Sequence, residues 1–226
     1  MKKSFLALVL LFIVTAAVAQ KDFEGTIMFK INVEGADAVK LQTMMPESYT
    51  FFFKGEDLKI IIQGGYMSLL MGPIIIKGSK TYMIKEEKKT AYIIPDDQKK
   101  NKPKSAVKLT KLGTGEKIMG YTCTKFKVEE KDDKGKLVTS FVWTTDAIKV
   151  DNFKKNQQTI DMQLVYEGMT GFPMKVESSV SSSNMNYKVT MAVTKVVPAV
   201  LGSAVFQIPA DYKIEELGPG AFIKPQ

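Results

Sequence analysis

The sequence predicts a mainly β (α+β) protein, an antiparallel sheet running largely as a meander. Three observations carry that expectation. Short runs of alternating apolar and polar residues recur along the chain, which is the period-2 pattern of half-buried strands. Clusters of Gly, Asp, Glu and Lys separate pairs of such runs, so that sequence neighbours join as hairpins. Several other runs are apolar at consecutive positions and need cover on both faces.

The chain opens Met1-Lys2-Lys3, is apolar from Phe5 to Val14, and turns to small residues ending Ala17-Val18-Ala19. A basic start, a short apolar centre and an A-x-A site predict a secretory signal peptide over residues 1–19, cleaved after Ala19. The apolar stretch is shorter than the roughly 20 residues that span a bilayer. No Cys lies near the cleavage site to take an acyl anchor. The expectation is a soluble periplasmic or secreted product, with an uncleaved anchor as the alternative. Residues 20–226 are expected to form one β domain, since at this length about 70% of the unfolded surface can be buried without staples.

Phe23, Gly25, Ile27, Phe29, Ile31 and Val33 share one parity, with polar or flexible residues between them, and predict the first strand. Tyr49–Phe53 and Leu58–Ile62 flank Lys54-Gly55-Glu56-Asp57 as a hairpin. Thr81–Ile84 and Thr90–Ile94 flank Glu86-Glu87-Lys88-Lys89, and Tyr121–Val128 and Leu137–Trp143 flank Lys131–Gly135. Gly113–Lys117 reads as a turn before a strand. Met185, Tyr187, Val189, Met191 and Val193 alternate with polar neighbours and predict the last long strand. Pro95–Ser105, rich in Asp, Lys and Pro, reads as a long loop within the domain.

Phe51-Phe52-Phe53, Ile60-Ile61-Ile62, Ile74-Ile75-Ile76 and Tyr92-Ile93-Ile94 do not alternate. Either the sheet curls over itself, or helices or a ligand cover its second side. Candidate covers are Tyr66–Met71 and Asp146–Gln157, the latter opening on an Asp suited to capping a helix.

Composition excludes much chemistry. The chain has no His, and all 32 of its basic residues are Lys. It therefore lacks the usual proton shuttle and transition-metal ligand, and the guanidinium fork that grips carboxylate and phosphate. There is no Gly-x-Ser-x-Gly elbow, no Cys-x-x-Cys and no calcium loop, and Gly113–Lys117 lacks the phosphate-loop spacing. The doublets Glu86-Glu87, Asp96-Asp97, Asp132-Asp133 and Glu215-Glu216 put neighbours on opposite faces, unlike a convergent acid–base pair. A Ser–Lys pair is the remaining catalytic option. No enzyme activity and no cofactor are expected. The single Cys123 reads as a buried small hydrophobe rather than a nucleophile.

Two features point to binding. After loss of Lys2 and Lys3 the net charge falls from +8 to +6. That surplus suits solubility or an anionic membrane surface. Nucleic acid is not expected, for basic–aromatic interleaving is slight. Of the 13 Met, twelve follow the initiator; such residues fill gaps in cores or line surfaces that accept variable apolar partners. Together with the doubly apolar strands they suggest a hydrophobic pocket lined by Phe51, Phe53, Ile60, Ile62, Met67, Leu70, Met71 and Trp143.

Several segments resemble the envelope family called domain of unknown function 4412, of LolA/LppX-like fold. They are Phe23–Ile27, Ile118–Val128, Val142–Thr145, Gly171–Lys175 and Phe206–Tyr212, in that order, across most of residues 20–216. The resemblance implies a curved antiparallel half-barrel with a small helical lid over its concave apolar side. It also implies a partner such as a lipid or a lipoprotein acyl chain, and it transfers no catalytic residue. The absence of Arg departs from true lipoprotein carriers, whose pocket region uses one. Three functions follow in order: a carrier of an apolar ligand, an envelope interaction module without a ligand, and a hydrolase.

Overall fold

The computed structural model describes residues 22–95, 107–131, 135–150, 153, 164–181 and 186–218. The expected signal peptide and nearly all of the Pro95–Ser105 loop lie outside them. The first half supplies β1 (Gly25–Gly35), α1 (Ala38–Met44), β2 (Ser48–Lys54), β3 (Asp57–Gln63), α2 (Gly65–Met71), β4 (Ile74–Lys77), β5 (Lys80–Lys85) and β6 (Thr90–Ile93). The second half supplies β7 (Lys108–Ile118), β8 (Tyr121–Lys131), β9 (Leu137–Thr145), β10 (Phe172–Ser181), β11 (Asn186–Pro198) and β12 (Lys213–Glu216). A 3-10 turn, Ser203–Phe206, precedes β12.

All twelve strands join one open, curved sheet in the order β12-β6-β5-β4-β3-β2-β1-β11-β10-β9-β8-β7. It is therefore two meanders, β1–β6 and β7–β11, joined edge to edge by the antiparallel pair β1·β11. The expected meander holds within each half. The joint between halves, and the parallel pairing of β12 with β6, carry no hairpin signal because no short turn makes them.

β1 follows its predicted parity, with Ile27, Phe29 and Val33 buried and Lys30, Asn32 and Glu34 exposed. On β11, Met191 and Val193 face the same side. Opposite the Met28–Phe29 step, the register passes from Val193 to Lys195. Thr194 is thus the extra residue of a bulge, which re-aims the strand so that Val196 again packs on the core.

Gly113–Lys117 is not a turn. It lies within β7, which shifts register twice against β8. The two-residue turn is Met119-Gly120, both at positive φ (51° and 84°), as a hairpin with right-twisted strands requires.

The inner face carries the main core: Ile27, Phe29, Phe51, Phe53, Leu58, Ile60, Ile74, Ile76, Phe126, Val128 and Val142. It is covered by the β9–β10 connection through Ile148, Phe153, Leu164, Val165, Tyr166 and Met169. The predicted helix Asp146–Gln157 does not begin at Asp146. Residues 146–150 form a turn and extended chain, and the Lys149 carbonyl accepts the Phe23 N–H at 2.7 Å, tying this stretch across the start of β1. Phe153 has helical backbone; residues 151–152 and 154–157 lie outside the described residues.

Tyr66–Met71 does form a helix, within α2, but neither α1 nor α2 buries any residue. On the outer face, Ile75, Ile84 and Ala91 are covered by Ile208 and Tyr212. The second apolar face of β4–β6 is thus satisfied by the chain's own C-terminal segment.

Candidate functional site

Register dictates what faces inward beside the β1·β11 joint. Ile31 lies opposite Met191, Met191 opposite Val176, and Val176 opposite Val142, forming one lateral row. The next row is Val33, Val189, Ser178 and Ser140. Alternation along each strand puts both rows on the inner face with Phe29 and Phe51. Above them the wall is built by Tyr49 of β2, Met45 after α1, and Leu164 of the β9–β10 connection. Together Ile31, Met45, Tyr49, Leu164, Val176, Ser178, Val189 and Met191 line a solvent-open apolar cleft of about 190 Å³.

The cleft stops where aromatic side chains fill the inner face. Phe153 packs on Phe172 at 5.0 Å between ring centroids, Phe29 on Phe51 at 5.4 Å, and Phe53 stands edge-on to Phe172 at 6.0 Å. Offset and edge-to-face contacts of this kind add to the burial of each ring, and Phe29, Phe51, Phe53, Phe153 and Phe172 are all buried.

None of the eight residues read from sequence as pocket lining borders this cleft. Phe51, Phe53 and Ile60 are sealed in the core, and Ile62 is buried opposite Tyr49. Met71 is half-buried against the core. Leu70 is half-buried on α2, and Met67 is exposed. Trp143 is on the other side of the sheet. Its neighbour Val142 points inward, so Trp143 points outward, level with Lys125 and Lys175. Both ammonium groups sit over its ring at 4.6 Å. Apolar character identified Phe51, Phe53 and Ile60 as inward-facing, but it could not separate filled interior from free space. The cleft residues Ile31, Val189 and Met191 were visible as one parity of their strands. What placed them together was the β1·β11 pairing.

The cleft's polar groups are hydroxyls. Burial pushes the Tyr49 phenol up to about 12, with no other group contributing, so it is a neutral donor. The Ser178 hydroxyl is hydrogen-bonded to that of buried Ser140. Lys85 caps the C-terminal end of α2, donating to the carbonyls of Leu69 and Leu70, and burial lowers its pKa. Among the described residues no three metal-ligating side chains cluster.

The family model described as "Domain of unknown function (DUF4412)" matches residues 23–212. No curated protein matches the chain. Among solved structures, LprF from Mycobacterium bovis is similar at 10% identity and a TM-score of 0.37, covering 84% of this chain and 90% of that one. A domain described as an outer membrane lipoprotein-sorting protein, from Vibrio parahaemolyticus, is similar at 10% identity and a TM-score of 0.31, covering 80% and 89%.

Proposed function

We propose that this chain, which belongs to the DUF4412 family, is a non-catalytic periplasmic protein that binds or carries a lipid or other hydrophobic ligand on the inner face of its sheet. The observation that carries this reading is the cleft beside the β1·β11 joint. Among the described residues its lining is apolar apart from two hydroxyls, and soft Met45 and Met191 form part of its wall. Each methylene buried there would contribute about 0.8 kcal/mol, so affinity needs no ionic contact. Export is supported by the basic, apolar and A-x-A order of residues 1–19.

Native mass spectrometry of protein purified from the periplasm is expected to find a co-purifying amphiphile, released on denaturation. The Val189→Trp variant, which fills the cleft, is expected to lose it. If the wild-type chain is ligand-free as purified and stays so after incubation with lipid vesicles, the carrier reading fails.

A second reading, an envelope interaction module, is favoured by a different observation. α1 and α2 contact each other yet leave Val39 80% and Leu69 75% exposed. Under that reading the Val189→Trp substitution has no functional consequence.

A further inference from the structure

Resting on the binding reading above, we propose that the inner cleft selects a single-chain amphiphile with an uncharged, hydrogen-bond-accepting head, such as a monoacylglycerol, over a chain with an ionised head. The first support is what the lining lacks. The chain carries 32 Lys and 24 acidic residues, and among the described residues none of these borders the cleft. A phosphate or carboxylate drawn in would leave water without a counter-charge, which is the costliest form of burial.

The second support is what the lining offers. The Tyr49 side chain lines the cleft, and burial raises its pKa, so its hydroxyl stands protonated there. It is a donor beside an apolar wall. Across the cleft, one hydroxyl of the Ser140–Ser178 pair donates to the other, which leaves one further proton and free lone pairs. An ester carbonyl and glycerol hydroxyls match that set, and all members are neutral near pH 7.

The third support is size. An apolar cavity of about 150 Å³ holds one benzene ring. By proportion the cleft of about 190 Å³, which is open to solvent, covers roughly seven or eight carbon atoms of a ligand whose remainder extends into water. That is one short chain or the end of a longer one, and not the paired chains of a phospholipid.

The test uses the exported full-length product labelled with ¹³C-methyl methionine. Met45 and Met191 border the cleft, whereas Met119 sits exposed in the β7–β8 turn. Titration with monooctanoylglycerol is expected to shift the Met45 and Met191 methyl signals and leave Met119 in place. Octyl phosphate, with the same chain length and an ionised head, is expected to bind at least tenfold more weakly. Tyr49→Phe should weaken monooctanoylglycerol about fivefold, the effect of one net hydrogen bond. The dispersed methionine spectrum reports whether that variant keeps its fold, and Ser178→Ala gives an independent probe of the other hydroxyl. Equal affinities for the two amphiphiles, with Tyr49→Phe silent, would overturn the selectivity and leave hydrophobe binding standing. No shift at Met45 or Met191 with either compound would overturn both.

Discussion

Trp143 draws its surroundings from two strands. Lys125 of β8 and Lys175 of β10 bracket its ring, and Lys125 also lies 4.5 Å from the Phe141 ring. Cation–π contacts of this kind favour Trp over other rings. The third neighbour is Gly115 of the bulged edge strand β7. A Cβ there would stand 2.6 Å from the indole Cδ1. Gly115→Ala is therefore expected to destabilise the protein by about 2 kcal/mol, as overpacking does. The measurement is denaturant unfolding followed by tryptophan fluorescence, and an unchanged midpoint would show that β7 yields freely.

The same patch is laced by charge. Lys175 pairs with Glu116 and with Glu177 at 2.8 Å each, and Lys188 with Glu177 at 3.4 Å. Burial opposes ionisation of Glu177, but hydrogen bonds and attraction from Lys175 and Lys188 prevail and hold its pKa below the ordinary range. A depressed carboxylate pKa gives stability that is complete above the ordinary value of about 4.3 and lost as pH falls through the lower folded value. Glu177→Gln should thus cost about 1 kcal/mol at pH 7 and show a shallower loss of stability between pH 5 and 3. Parallel acid profiles for variant and wild type would refute the assignment.

Among the elements, the two sheet edges are handled differently. β7 ends one side with Lys108, Lys111 and Lys117 and two register shifts, both of which discourage pairing with another chain. The other side is closed by chain that returns from β11. Asp211 bonds Lys89 at 2.9 Å, and the Lys213 and Leu217 N–H groups donate to the Lys89 and Ile93 carbonyls. β12 thereby pairs with β6 while Ile208 and Tyr212 cover Ile75 and Ile84. Phe206, just before them, is 1% exposed. Truncation to Phe206→Ala is expected to cost about 3 kcal/mol, read from the thermal or denaturant midpoint. A neutral substitution would mean that the segment merely rests on the sheet.

α1 and α2 differ from these covers in being marginal. Each has 7 residues, well below the length at which a helix is stable by itself. They are held by contacts with each other, with β1 and with β3. The Tyr66–Met71 segment was legible because Tyr66, Met67, Leu69, Leu70 and Met71 make a short apolar run suited to cover a sheet. Ala38–Met44 was not, since Lys40, Gln42 and Thr43 interrupt its few apolar residues.

At the scale of the molecule, strand content and inward parity were properties of the sequence itself. Ile27, Phe29 and Val33 on β1, and Met191 and Val193 on β11, had to share faces because alternation is built into an extended backbone. The hairpins at Gly55 and Gly135 and the need to cover Ile74-Ile75-Ile76 were fixed equally locally. Tertiary structure alone decided that β1 would meet β11 and that the C-terminal segment would cover Ile75. It alone placed Phe153 against Phe172 to fill one end of the interior while Tyr49, Ile31 and Met191 border free space at the other. Those outcomes depend on contacts between residues far apart in the chain. A side chain's hydrophobicity specifies that it leaves water, but not which distant partner it meets or whether that partner fills the gap.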